Sequence, residues 1–457
     1  MRVSSKPIAR VSPNNQTESI GKLSRAEAFE VDEALRIADD GRQAWSKTSA
    51  DERATMLERA AELFQEAMPE LMAILNREAG KAIPDCMSEV RETIDYCHYY
   101  AYRARQDLTP QELPGPTGES NVLTLHPRGT MACISPWNFP LAIFAGQILH
   151  EAGIPKDALQ LIIGRGSVVG AKLVSDERVD GILFTGSTDT AKFIERSLAE
   201  RNGPIAILVA ETGGQNAMIV DSTALPEQTV TDIVMSAFNS AGQRCSALRV
   251  LFVQEDIAPR LITMLQGYME SFNVGDPGWL SNDIGPVIDE ASKEMLVAHY
   301  DKMMSTGKLI AQIPITESAT GHYFSPCAFE IDSLDQLEGE VFGPILHVIR
   351  YKAHELDKVM DAIINTGYGL TLGVHSRIDT VTQHIANRMP VGNIYINRNM
   401  VGAVVGVQPF GGERLSGTGP KAGGPHFLPR LCVERTISTN TTAVGGNARL
   451  ISLLEDD

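Results

Sequence analysis

Two segments hold the side chains best placed for chemistry: Glu211-Thr212-Gly213-Gly214-Gln215-Asn216-Ala217-Met218 and Gly242-Gln243-Arg244-Cys245-Ser246-Ala247. Glu211 ends an apolar run, Ile205 to Val209, where a buried strand would stop. Cys245 follows an arginine in a stretch of small residues that suits an accessible thiolate. A thiolate that attacks a carbonyl and a carboxylate that activates water can together form and hydrolyse an acyl-enzyme. Pro136-Trp137-Asn138-Phe139-Pro140 follows a further apolar run, Thr130 to Ile134. A side-chain amide and a backbone N–H can share the oxyanion that such an attack creates. Phe184-Thr185-Gly186-Ser187 closes another run and opens a helix, whose free N–H groups suit a phosphate. Taken singly, each is commonplace: Gly-Gly turns, buried cysteines and capped helices abound. Order and spacing carry the weight.

The elements that must position these groups are legible in outline. The 457 residues predict two or three domains around a large core. A hydrophobic fraction of 43% and a charged fraction of 21% suit a soluble enzyme. The formal charge of −17 argues against nucleic acid or an anionic membrane as main partner. Carboxylate binding in so acidic a chain needs specific local donors. Cys86, Cys97, Cys133, Cys245, Cys327 and Cys432 are scattered, with no CxxC pair and no histidines at metal spacing. That pattern favours a reducing, cytoplasmic compartment and predicts no metal; Cys245 apart, the cysteines read as buried and structural. No apolar run approaches a membrane span, and the basic first ten residues lack a signal core.

The first hundred residues read as helical. Ser49 and Glu52 form a capping box, and Met56, Leu57, Ala60, Ala61, Phe64, Ala67 and Met68 form one apolar stripe. Pro110 to Gly118 is a link, and the alternation of Asn121 to Leu125 predicts an edge strand or hairpin arm. Runs at 130–134, Leu159 to Ile163, Gly181 to Phe184 and 205–209 alternate with helical stretches, which predicts an α/β fold with a parallel sheet covered on both faces. The alternation resumes through Val250 to Val253, Ile345 to Ile349 and Val391 to Ile396, and the chain turns polar and β-prone from Glu434.

In this order and spacing the Glu211 and Cys245 segments resemble the paired signature of the aldehyde dehydrogenase superfamily. The resemblance implies a Rossmann-type cofactor domain (1–115 and 128–210), an α/β catalytic domain (211–427) and an oligomerisation arm and tail (116–127 with 428–457). It implies NAD as cofactor, a small-molecule aldehyde as substrate and a homo-oligomer. Carried over residue by residue, Cys245 is the nucleophile, Glu211 the base, and Asn138 with the Cys245 N–H the oxyanion site. Gly186, Ser187, Thr212 and Trp137 fall to the cofactor. Glu340-Val341-Phe342-Gly343-Pro344 resembles the segment whose glutamate holds the nicotinamide ribose, with Phe342 flanking it.

The run Gly402 to Gly412, followed by Leu415 to Pro425, is more particular. It resembles the L-glutamate γ-semialdehyde dehydrogenases, specifically the dehydrogenase module of bifunctional proline-catabolic enzymes. In that group Ser246, Gly402 and Ala403 would anchor the substrate α-carboxylate and Phe410 would pack on its aliphatic chain. The likeness runs from about Pro13 to about Leu453, and the polar tail from Asn440 to Asn447 looks like that module's exit. One departure stands out. The family places a strand ending in Lys-Pro, and a helix, where Gln147-Ile148-Leu149-His150 here runs directly into Glu151-Ala152-Gly153. Roughly one βα unit, on the order of thirty residues, is missing, and with it the lysine that binds the adenosine ribose. Two rivals follow: a cofactor-impaired or non-catalytic remnant with residual esterase activity or an assembly role, and a cysteine hydrolase. The hydrolase lacks a His/Asn partner motif.

Overall fold

Strands that are apolar without alternation must be covered on both faces. Ala217–Val220, Val250–Gln254, Ile345–Tyr351 and Thr371–His375 are such strands, almost entirely buried. In the computed structural model, which describes residues 5–138, 140–315 and 320–441, they pair in parallel within a seven-stranded sheet. Cys327–Glu330 and Asn393–Ile396 extend this sheet in parallel, and Lys308–Gln312 closes one edge antiparallel. Its core continues through Phe238, Leu261, Leu265, Met303 and Phe329. Phe139, residues 316–319 and residues 442–457, including most of the polar tail, lie outside the described residues.

A smaller parallel sheet carries Glu211. Met131–Ile134, Gly181–Gly186 and Ile207–Thr212 pair side by side, with Thr185 opposite Glu211 and Gly186 opposite Thr212. Glu211 therefore sits at the carboxyl edge of a sheet, the usual place for a cleft in α/β folds. Two expectations need correction here. The strand begins at Ile207, and Ile205 is 96% exposed, so the apolar run was placed too early. Leu159 to Ile163 forms no strand; it runs alongside Ala26, whose N–H donates to Ile163 O at 2.7 Å. An apolar run becomes a strand only where a neighbour completes its ladder, and this run has none among the described residues. Met131–Ile134 is paired on one side only and leaves its other backbone edge open.

The third sheet is antiparallel. Glu119–Pro127 lies between Gln111–Leu113 and Cys432–Asn440: of the two expectations for this stretch, the hairpin arm holds, with Gln111–Leu113 as the other arm, and the edge strand does not. The expected link from Pro110 to Gly118 contains the short outer strand. Cys432–Asn440 is exposed along nearly its whole length, Ile437 included. The chain also does not begin helical: Ile8–Val11 and Ser19–Leu23 form a hairpin, and its turn packs on residues 321–323, where the His322 N–H donates to Pro13 O at 2.8 Å.

The helical layer follows the sequence closely. Ser49 caps Ala50–Glu66 through its side chain, while Glu52 accepts from the Ser49 N–H at 2.7 Å. Ala60, Ala61 and Phe64 are buried in one cluster with Cys86 and Val90 of the long helix Ile83–Asp107. Ala67 and Met68 fall past the end of the stripe, where a new helix, Met68–Ala79, starts. Cys86, Cys97 and Cys327 are buried as expected, but Cys133 is exposed on the open-edged strand.

Unpaired backbone exchanges its amide hydrogens far faster than a sheet interior. Hydrogen exchange is expected to label residues 159–163 at least on the order of a hundredfold faster than the central strand Gly181–Gly186. Equal protection of the two segments would show that 159–163 is paired in solution.

Candidate functional site

Cys245 stands at the end of an unusual turn. Ser240, Ala241 and Gly242 are left-handed in succession, with φ of 53°, 53° and 65°. Each non-glycine residue in that region costs about 1–2 kcal/mol, so the turn needs support. Ser240 Oγ donates to Asp85 at 2.8 Å and accepts from Arg244 Nε at 3.0 Å. Arg244 also pairs with Asp85 at 3.2 Å. Gly242 is required for space as well as for φ: a Cβ there would lie 2.5 Å from Gly343 O. Past the nucleophile, Asn216 Nδ2 donates to Cys245 O at 2.6 Å and to Ala247 O at 2.9 Å, tying this loop to the Glu211 segment.

Asn138 is buried beside the same turn, and its Nδ2 donates to Gln243 O at 3.2 Å. Trp137, about half exposed, meets Phe342 edge to face at 5.7 Å. Glu340 accepts from Arg249 Nη2 at 3.2 Å and from the Gly214 N–H. It packs so closely that a Cβ on Gly213 would strike Glu340 Oε2. The second glycine of the Glu211 motif is thus bonded to the glutamate of a segment more than a hundred residues away.

Electrostatics divide the labour. Burial pushes the Cys245 thiol up to about 12, and the carboxylates Glu340 and Glu211 add to the rise. Arg244 acts the other way, but Asp85 shares its charge, so at rest the expected accessible thiolate is a buried thiol. Burial also raises the Glu211 carboxyl to about 8, opposed by the Gly412 N–H and by Lys421. Glu211 Oε2 accepts from Gly412 N at 2.8 Å, while Oε1 is buried with no hydrogen-bond partner among the described residues. A protonated thiol near a carboxyl with a near-neutral pKa is an arrangement for proton transfer.

The remaining residues are placed as follows. Ser187 caps Thr188–Ala199 by accepting from Thr190 N at 3.3 Å, and Gly186 directly precedes it under the Phe184 ring. Thr212 is buried, and its hydroxyl donates to Leu415 O at 2.5 Å, which commits it to the 415–418 turn. Ser246 is buried directly after Cys245. Gly402 is exposed and left-handed (φ 73°), with Ala403 half-buried beside it. Phe410 exchanges both backbone hydrogen bonds with Ala422. Tyr99 and Tyr100 of the long helix support this region: Tyr99 packs on Gly406, and the Tyr100 hydroxyl accepts from Gly423 N at 2.9 Å.

Several supporting groups escaped the sequence reading. Asp85, Glu89, Glu92 and Tyr96 lie on the long helix, which sequence shows only as amphipathic. Lys81 and Glu89 form a buried ion pair, and burial raises the Tyr96 hydroxyl, with Cys245 and Glu211 among the groups acting on it. Arg249 and Asn216 stand directly before the apolar strands Val250–Gln254 and Ala217–Val220; Asn216 lies within the Glu211 motif, whereas Arg249 carried no motif of its own. Among the described residues there is no metal-ligand cluster, and no helix is long and apolar enough to cross a membrane.

Glu211 must be ionised to accept a proton, so its working fraction rises with pH through about 8. Hydrolysis of an activated ester is expected to show an alkaline limb there, absent in Glu211→Gln. Lys421→Met removes a cation that favours the carboxylate, so the limb should move to higher pH. Rate profiles across neutral and alkaline pH read both, and an unmoved limb in Lys421→Met would exclude that contribution.

The pattern of the Aldehyde dehydrogenase family matches residues 1–150 and 142–437, two stretches that overlap over residues 142–150. The chain is 48% identical over 462 residues to the bifunctional protein PutA of Klebsiella aerogenes, covering 93% of this chain and 34% of that protein. It therefore spans about a third of the length of these curated bifunctional relatives. It is 33% identical over 464 residues to a 1-pyrroline-5-carboxylate dehydrogenase of Geobacillus sp. (strain WCH70), covering 94% of this chain and 90% of that one. A solved 1-pyrroline-5-carboxylate dehydrogenase from Thermus with bound NAD superposes with a TM-score of 0.91 at 30% identity, covering 96% of this chain and 91% of that one. Sequence pattern, fold and the order of the site residues agree: this chain belongs to the aldehyde dehydrogenase family.

Proposed function

We propose that the chain oxidises L-glutamate γ-semialdehyde to L-glutamate with NAD. The observation that carries this reading is the gathering of Cys245, Glu211 and Glu340 in one buried group, where both carboxylates act on the thiol. The names and high coverage of the dehydrogenase relatives support the substrate class.

Cys245 Sγ adds to the aldehyde carbon, and its proton leaves to a base. The Asn138 amide and the Cys245 N–H hold the oxyanion. NAD, when bound, accepts the hydride that turns the adduct into a thioester. Glu211 then takes a proton from water, which attacks the thioester, releases the acid and returns the thiol. Ser246, Gly402 and Ala403 supply donors for the substrate carboxylate, and Phe410 an apolar wall.

The nicotinamide side fits NAD. Glu340 offers a carboxylate for ribose hydroxyls against a Gly213 that leaves it room, Trp137 and Phe342 offer an apolar ring pair, and the N-terminus capped by Ser187 suits pyrophosphate. Thr212 donates its hydroxyl to Leu415 O and keeps its acceptor lone pairs for the nicotinamide side. On the adenosine side, the unpaired stretch 159–163 and the two-part family match favour a second reading, in which a βα unit is absent and NAD binds weakly. Ester hydrolysis then survives, because Cys245, Glu211 and Asn138 lie outside the gap. The exposed strand Cys432–Asn440 supports a homo-oligomer through the arm, and six unpaired cysteines support a reducing, cytoplasmic setting. Separate small and large parallel sheets support a division into cofactor and catalytic domains, with the proposed boundary at 211 falling inside the strand Ile207–Thr212.

NADH formation by purified protein offered glutamate semialdehyde tests the proposal directly, and absence of turnover together with absence of NAD binding by calorimetry would select the non-catalytic reading. Cys245→Ala is expected to abolish turnover with an unchanged circular dichroism spectrum. Glu211→Gln should leave a burst of NADH and a poor steady state. Aldehydes with a distant carboxylate should outcompete alkanals by about 2–4 kcal/mol, roughly thirty- to a thousandfold in kcat/KM. Equal efficiency for propanal would overturn the substrate assignment.

A further inference from the structure

Arg249 is one of the largest fully buried side chains, 2% exposed, and it is spent on the site. Nη1 donates to Gly242 O at 2.6 Å and to Gly343 O at 3.2 Å. Nη2 donates to Arg244 O at 3.0 Å and to Glu340 Oε1 at 3.2 Å. Four bonds use all four Nη hydrogens, and the guanidinium also lies 5.1 Å from the Phe342 ring centroid. Two partners belong to the turn that ends in Cys245; the others belong to the 340–343 segment. The Arg249 backbone is fixed as well, its N–H donating to Asn216 O at 3.0 Å and its carbonyl accepting from His347 N at 3.0 Å.

We infer that Arg249 is a positioning residue that couples the nucleophile turn to the ribose-binding segment, so that one planar fork sets the aim of both Cys245 and Glu340. The inference rests on the function proposed above. Only a guanidinium carries two parallel pairs of donors in one plane. A lysine in its place keeps the charge but can serve fewer of the four acceptors, and the two segments lose their common reference. Ser240 and Ala241, left-handed and without glycine's freedom, then relax away from the geometry that presents the Gln243 carbonyl to Asn138, two residues ahead of Cys245.

The test uses the whole chain with Arg249→Lys and Arg249→Met. It reads three quantities: melting temperature, ester hydrolysis without NAD, and the Kd for NAD by calorimetry. Arg249→Lys is expected to melt close to the natural chain. Its kcat for the ester should fall at least tenfold with KM within threefold, and its Kd for NAD should rise at least tenfold. Arg249→Met should lose more on both counts. A purely structural role would instead lower the melting temperature without a split between kcat and KM. A folded Arg249→Lys that retains either ester kcat or NAD affinity overturns the coupling. If both variants fail to fold, Glu340→Gln loosens the fork from its far end, and a threefold or greater loss of ester kcat is expected. Unchanged ester kcat there overturns the inference. A natural chain that hydrolyses ester but binds no NAD defeats the proposed oxidation while leaving the ester readout of Arg249 intact.

Discussion

Three left-handed residues in a row, two of them with side chains, have to be held in place before Cys245 can face anything. The support is charged and buried. Asp85 holds Ser240 and Arg244, and Arg249 holds the carbonyls of Gly242 and Arg244. Buried charges are tolerable only when paired and hydrogen-bonded. The pairing therefore explains much of the surrounding structure: why an arginine opens an apolar strand, why Glu340 lies against Gly213, and why an acidic helix backs the site. The strain in the turn and the ionic groups beneath it form one construction.

The same grouping sets the chemistry. Glu211 and Glu340 both disfavour a thiolate at Cys245, and burial disfavours it further. At neutral pH the resting site is a neutral thiol beside a carboxyl that titrates close to neutrality. On the proposed function, attack and proton loss are then coupled, which keeps the sulfur quiet until a carbonyl arrives. Glu211 Oε1, buried and with no hydrogen-bond partner among the described residues, is the acceptor that this proposal uses for that proton or for water.

The sequence made the motifs of the proposed site legible because their surroundings are local: Glu211 and Asn138 each follow an apolar run, and Cys245 sits among small residues beside Arg244. It also showed the parallel sheets and the Ser49–Glu52 cap. What it hid depends on distant neighbours. Arg249 gains its meaning from Glu340 and Gly343, more than ninety positions away. Leu159 to Ile163 has strand composition, but composition cannot supply the missing ladder. The hairpin formed by Ile8–Val11 and Ser19–Leu23 is too short, polar and exposed to show alternation. Thr212 is legible from its motif, but its bond to Leu415, more than two hundred positions on, is not.

The helix Ile83–Asp107 touches the site at both ends. Asp85 anchors the nucleophile turn, and Tyr100, fifteen residues on, carries the loop around Gly423. At 1.5 Å per residue these contacts stand about 22 Å apart along the axis. The helix thus works as a gauge, its length fixing the distance between the support of the Cys245 turn and the loop that pairs Phe410 with Ala422. One residue added or removed between them turns Tyr100 by about 100° and withdraws it from Gly423. Substitutions along the outer face are free to accumulate, but the number of residues between Asp85 and Tyr100 is not.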